Sequence, residues 1–248
     1  AAVHQVVRRH ETMRTTLPAV DGQPFQVIAE ELAVRVPVVD LNALERVHRE
    51  AEAERLVVAD IVRRFDLERG PLVRLTFLRL EPEQHVGLVT LHHIITDGWS
   101  TSILIRELVT LYGAFAAGEP SPLAPLEVQY ADFAVAQRRW LQGETLERLL
   151  SWWRERLADP PPALPLPTDR PRGAGLMVRS TTLPVALGPR LSAALRELSV
   201  ATRSSRFMIM LAAYKALLAR YTGQDDLCVG TFVAGRSRPE VEPLIGFF

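Results

Sequence analysis

The sequence predicts a mixed α/β fold in which helices and strands alternate along the chain. Three observations carry this. A Gly- and Pro-free stretch from Asn42 to Phe65, rich in Glu, Ala, Arg and Leu, has strong helix propensity. Two short runs rich in β-branched and apolar residues follow it, Leu72 to Leu80 and Val86 to Leu91. Ser100 to Ala116 then returns to helical rhythm, with Ile103, Leu104, Glu107, Leu108, Leu111 and Tyr112 at i, i+3, i+4 spacing.

Taken in order, Pro24 to Glu30 and Val34 to Asp40 read as extended, and Asp66 to Gly70 as a break after the first long helix. In Leu72 to Leu80, alternation places Val73, Leu75 and Phe77 on one face. The turn Glu81-Pro82-Glu83 joins this strand to the next as a hairpin. Gly118 and prolines 120, 122 and 125 end the helix that follows. A second long helical region, Tyr130 to Leu157, is open to interruption at Gly143, and Trp140, Trp152 and Trp153 along it read as core or lobe packing. Pro160 to Pro171 holds six of the chain's 18 prolines, which excludes helix and central strand and marks a semi-rigid linker. Beyond it come a strand near Thr181 to Leu187, helices from Pro189 to Ala201 and from Phe207 to Tyr221, and a strand from Leu227 to Val233. The expected division is residues 1–159 as a first lobe, 160–178 as linker and 179–248 as the start of a second lobe.

Composition narrows the function. The 248 residues are 48% hydrophobic and 23% charged, a globular balance. The 29 basic and 29 acidic residues cancel, so the overall basic character of a nucleic-acid binder is missing. All the basic residues but Lys215 are Arg. A single Cys, Cys228, excludes an intramolecular disulfide and a Cys-based zinc cluster, and with no membrane-length apolar run or signal pattern it points to a reducing cytoplasm. The chain lacks an initiator Met and stops within the apolar run Leu244-Ile245-Gly246-Phe247-Phe248, so a fragment of a longer protein is expected. No phosphate loop, dinucleotide fingerprint or G-x-S-x-G elbow is present.

The segment rich in chemistry is Leu91-His92-His93-Ile94-Ile95-Thr96-Asp97-Gly98-Trp99-Ser100, at the junction of an apolar strand and a helix. Strand alternation turns His92 and His93 to opposite sides, leaving one structural and one available. Gly98 permits close backbone approach, and Ser100 suits a helix cap. Three readings stand at this point: metal ligation by His, His and Asp; core histidines satisfied by hydrogen bonds; or one His as general base or proton shuttle. The β-branched Ile94, Ile95 and Thr96 argue against the helical geometry that a His-x-x-x-His metal pair uses.

This segment resembles the HHxxxDG signature of condensation domains from nonribosomal peptide synthetases, a family related in fold to chloramphenicol acetyltransferase. Further matches follow the family's order. Arg9-His10-Glu11-Thr12-Met13-Arg14-Thr15 resembles RHExLRT, and Tyr130-Ala131-Asp132-Phe133-Ala134 resembles YxDFA. Leu166 to Arg172 resembles the LPxDRPR linker. Asp226 to Gly230, Ala234-Gly235-Arg236 and Ile245 to Phe248 resemble second-lobe motifs. Met13 and Leu17 stand where Leu and Phe are usual, the family's first motif is missing, and the last is cut before its Val-Asn-Thr continuation. The chain thus covers roughly half of the family unit.

The resemblance implies an α/β fold of the two-layer α+β sandwich kind, with one chloramphenicol acetyltransferase-like lobe and the beginning of a second. It implies amide formation, a carrier-bound acceptor amine attacking a carrier-bound donor thioester. No cofactor belongs to the domain itself, since the substrates ride on phosphopantetheine arms. The implied partners are donor and acceptor peptidyl carrier domains and a neighbouring adenylation domain, with no nucleic acid and no membrane. His93 is the implied catalytic residue, with Asp97 and Gly98. His92, Arg14, Arg9, Trp99 and Ser100 are implied supports, Arg14 as the partner of Asp97. An α-amine of pKa ~8 is already about a tenth neutral at pH 7, so removing its proton in advance saves only about 1.4 kcal/mol. His93 is therefore expected to orient the amine and carry its proton as the tetrahedral intermediate forms. Gly98 is expected to give room or an oxyanion contact, or else to serve as a plain turn glycine. Trp99 is expected in the core, Tyr130, Asp132 and Phe133 as stabilisers of the first lobe, and Arg236 either as structural or near a carrier-facing surface. The rival functions are an HxxxDG acyltransferase using free alcohols or amines or coenzyme A thioesters, and a recruitment lobe without catalysis.

Overall fold

The computed structural model describes residues 1–168 and 183–248. It resolves into two compact units, residues 1–147 with 233–248, and residues 148–232. The last sixteen residues belong to the first unit.

Chain order explains the first unit. Helix α1, Ala2–Arg9, buries Val6 and Val7 and packs on a later helix, although nothing in the first residues had marked it. A 3-10 turn at Glu11–Arg14 leads to four two-residue strands: β1 Thr15–Thr16 pairs β4 Val27–Ile28, and β2 Ala19–Val20 pairs β3 Gln23–Pro24. Strand β5, Val38–Asp40, runs parallel to β6, Val73–Arg79, and the parallel pair requires a crossover, supplied by helix α2, Arg46–Val62. The helix starts later than Asn42 because the Asp40 carboxylate takes the Asn42 amide into a turn first. Strand β7, His85–Leu91, pairs antiparallel with β6 as the expected hairpin. Val73 and Leu75 face the core, whereas Phe77 lies half-exposed over Gly87, and Leu78 on the opposite face is fully buried.

Helix α3, Gly98–Ala116, carries Ile103, Leu104 and Leu111 into the same core as Val6, Val7, Met13, Leu72 and Ile95. The second helical region is two helices, α4 Tyr130–Trp140 and α5 Gly143–Arg156, parted at Gly143 as anticipated. Trp140, Trp152 and Trp153 are each more than half exposed, contrary to a core role. Trp152 and Trp153 meet edge-on with centroids 4.8 Å apart, a contact that leaves their outer faces in solvent.

In the second unit, helices α6, Pro189–Thr202, and α7, Arg206–Thr222, pack together. Ser205 caps the start of α7, its side chain accepting from the Met208 amide, and Gly223 ends the helix in the left-handed conformation. Residues 160–168 have no regular secondary structure, as the prolines require, and 169–182 lie outside the described residues. The expected strands near 181–187 and at 227–233 do not form among the described residues: a strand needs a paired neighbour, and none is aligned there. Phe232 and Val233 are accordingly exposed. No described helix is long and apolar enough to cross a membrane.

Candidate active site

Strand β7 ends at Leu91, and the chain turns sharply before α3. The His92 amide donates to the Leu72 carbonyl, the last tie to the sheet. His92 Nδ1 accepts from the Ile94 amide at 3.0 Å, which starts a 3-10 turn over His93–Ile95. The ring of His92 meets Phe65 edge-on, 5.8 Å between centroids. His93 points elsewhere. Its ring is exposed, has no hydrogen-bond partner among the described residues, and meets Phe247 edge-on at 5.3 Å. Metal ligation finds no support: among the described residues, no cluster of three His, Cys, Asp or Glu groups is placed to hold an ion.

Asp97, rather than Ser100, caps α3: its Oδ1 accepts from the Ser100 amide at 2.7 Å. Gly98 follows in an ordinary conformation, and a Cβ added there would meet nothing within 4 Å. The glycine is not demanded by backbone strain; it leaves open space above the first turn of the helix.

The partner of Asp97 is Arg236. Nη2 of Arg236 lies 3.2 and 3.1 Å from the two carboxylate oxygens of Asp97 and 2.9 Å from Ser100 Oγ. Its Nη1 donates to the carbonyls of Val241 at 2.7 Å and Leu244 at 2.8 Å. The guanidinium stacks 3.8 Å from the centre of the Phe248 ring. Arg14, expected in this role, donates to the Ala29 carbonyl and reaches Glu11 at 3.5 Å instead. It leaves a 3-10 turn beside β4, and the local carbonyl and carboxylate engage its two terminal nitrogens. Arg236 is thus structural. Burial presses its pKa below the ordinary arginine value against the pull of Asp97, and it remains a cation. Burial opposes ionisation of Asp97, but hydrogen bonding from Ser100, the charge of Arg236 and the Phe248 amide outweigh it, so its pKa lies below the ordinary carboxylate value.

Ser100 holds the terminal segment. Its hydroxyl donates to the Gly246 carbonyl at 2.9 Å and accepts from the Gly246 amide at 3.0 Å, which with Arg236 fills its hydrogen-bonding capacity. Gly246 is required by contact, since an added Cβ would run into the Tyr130 ring and the Phe248 ring. The Tyr130 hydroxyl donates to the Phe247 carbonyl at 2.7 Å, and the Phe133 and Phe248 rings pack at 4.7 Å.

Residues 1–248 match the condensation-domain family. The chain belongs to that family. It is 46% identical over 243 residues to a linear gramicidin synthase of Brevibacillus parabrevis, covering 98% of this chain and 5% of that one. The X-domain from teicoplanin biosynthesis is similar in structure, with a TM-score of 0.84 and 32% identity over all of this chain and 55% of that one. The first condensation domain of the calcium-dependent antibiotic synthetase shares the fold, with a TM-score of 0.83 and 23% identity over 99% of this chain and 57% of that one. The fold is therefore the chloramphenicol acetyltransferase-like α/β fold of condensation domains, and the chain spans about half of each solved neighbour and a small part of the curated relative.

Further residues of this condensation domain take their places around the turn. Arg9 supports α3 through Glu107, Nε to Oε1 at 2.9 Å, and donates to the Ala124 carbonyl. His10, fully buried, lies 2.8 Å from Glu107 Oε2 through Nε2 and accepts from the Ile245 amide at Nδ1, which fixes the Nε2–H tautomer. Burial opposes the charge of Glu107, but hydrogen bonds from His10 and Arg9 hold its pKa below the ordinary value. Sequence reading passed over Glu107; the available signal was a carboxylate inside an apolar helical stripe. Trp99 is not core: nearly half exposed, it donates from Nε1 to the Glu242 carbonyl at 3.1 Å. Asp132 accepts from the Gln129 amide at 2.8 Å and so caps α4. A cavity of about 670 Å³ between α4 and residues 235–241, lined by Phe133, Trp140 and Arg238 among others, includes neither His93 nor Asp97.

Proposed function

We propose that this condensation domain forms an amide bond between two carrier-bound substrates, with His93 as its catalytic residue. The acceptor amine nitrogen attacks the donor thioester carbon, the C–N bond forms, the C–S bond breaks, and the thiolate leaves with a proton. His93 takes the proton from the attacking nitrogen and returns it to the departing sulfur. Help of this kind supplies ~10²–10⁴-fold. The observation that carries the reading is the His93 ring, exposed and without a hydrogen bond among the described residues, on the short turn just before α3, whose first residue, Gly98, has open space above it. Asp97, bound to Arg236 and the Ser100 amide, has no role as a base in this scheme and holds the turn. The Gly98 amide, in the first turn of α3, is the proposed donor to the developing oxyanion. Donor and acceptor carrier domains, with an adenylation domain beside them, are the proposed partners, and the cytoplasm the proposed compartment.

The test is amide formation by the parent synthetase with carrier-loaded donor and acceptor, comparing the intact protein with His93→Ala. A loss of ~100-fold or more with the fold retained supports the reading. Unchanged product formation overturns it. Product from free alcohols or coenzyme A thioesters, with none from carrier-bound acceptors, replaces it by the acyltransferase alternative.

A further inference from the structure

We propose that Asp60, Phe65, Arg74 and Thr90 form a strut that positions His92 and, through the turn, His93. The proposal rests on the reading of His93 given above. Arg74 on β6 and Thr90 on β7 are directly opposed, so their side chains share one face of the sheet. Asp60, in the last turn of α2, reaches both: Oδ1 accepts from Arg74 Nε at 3.0 Å, and Oδ2 accepts from the Thr90 hydroxyl. Arg74 Nη2 also donates to the carbonyls of Asp60 at 2.8 Å and Arg63 at 3.1 Å, where α2 ends. The guanidinium is thereby fixed in plane and direction, and it stacks 3.8 Å from the centre of the Phe65 ring. Phe65 in turn meets the His92 ring edge-on at an interplanar angle of 84°.

Packing alone does not require this arrangement. Arg74 and Asp60 are 13% and 20% exposed, and apolar residues commonly replace so covered an ion pair without loss of stability. What the pair supplies is direction: a planar cation on a planar ring, seated at the end of the hairpin from which the His92–His93 turn departs. Among the described residues the His93 ring makes no hydrogen bond of its own, so the backbone of that turn sets where it points. A displacement of about 1 Å at a reacting group can cost ~10²-fold in rate.

The experiment uses the parent synthetase with carrier-loaded donor and acceptor, comparing Phe65→Leu, Phe65→Tyr, Arg74→Lys and His93→Ala. Expected for Phe65→Leu and Arg74→Lys is a fall in kcat per folded protein of ~10-fold or more, beyond any loss of stability, with KM for the loaded acceptor within ~2-fold. Phe65→Tyr, which keeps the ring, restores kcat. Should Phe65→Leu fail to fold, Arg74→Lys decides by the same criteria. The strut is overturned if these variants keep kcat within ~2-fold while His93→Ala is inactive, or if kcat falls only in step with lost folded protein. Full activity of His93→Ala would overturn the reading of His93, and the strut with it.

Discussion

Replacing Arg236 by Ala tests the support of the site directly. The side chain is 1% exposed, and its removal leaves the Asp97 carboxylate, 15% exposed, without its cation. The Val241 and Leu244 carbonyls and the Ser100 hydroxyl each lose a donor, and the Phe248 ring loses the cation stacked on it. Breaking a buried pair on one side costs ~3–5 kcal/mol, and an orphaned buried acceptor ~1–3 kcal/mol. These losses overlap, since water entering the vacated volume serves several of the groups, so the expected cost is about 3–5 kcal/mol. Against a total stability of ~5–15 kcal/mol this removes a large share of the fold. The assay is urea unfolding followed by tryptophan fluorescence, on Arg236→Ala, Asp97→Ala and the double variant. The pair should show a coupling of ~1–3 kcal/mol, while Asp97→Ala combined with Arg14→Ala should add within ~0.5 kcal/mol. A cost below ~1 kcal/mol for Arg236→Ala, or a stronger coupling of Asp97 to Arg14 than to Arg236, would refute the reasoning.

Gly98→Ala places a methyl in open space on the first turn of a helix, so stability should hold or rise by up to ~1 kcal/mol in thermal melts. Product formation should nonetheless fall ~10-fold or more if substrate occupies that space, and undiminished product would show that it does not. Gly246→Ala forces the Tyr130 and Phe248 rings aside and should cost ~1–3 kcal/mol, read by the same melts. Glu107 has a folded pKa below its ordinary value near 4.5, so its pairing stabilises the fold above that value, and the stabilisation is lost as pH falls through the lower folded one. Glu107→Gln should therefore flatten the acid limb of stability against pH, and an unaltered limb in urea titrations would show that Glu107 does not contribute to it.

The parts of the site that were legible in the sequence are those built from near neighbours. The β7 strand, the turn at His92–His93 and the start of α3 follow one another within sixteen residues, and propensity reads such a run well, although the cap falls on Asp97 and not on Ser100. The supports were not legible because they come from far along the chain. Arg236 stands 139 residues from Asp97, and the family resemblance pointed to Arg14 as its partner instead. Only the return of residues 233–248 against α3 decides between them. Ser100 is bound to the backbone of Gly246, and a backbone group leaves no mark in a sequence beyond the glycine that admits its neighbours. The two expected strands that do not form among the described residues have the same origin, since strand pairing depends on a neighbour rather than on the run itself. This has a consequence for dissecting the site. Among the hydrogen-bonding side chains from His92 to Ser100, those of His92, Thr96, Asp97, Trp99 and Ser100 are all engaged in holding the turn or its surroundings. Substituting any of them perturbs fold and chemistry together. His93 alone makes no hydrogen bond among the described residues, so it is the position at which a loss of activity can be assigned to the reaction rather than to the scaffold.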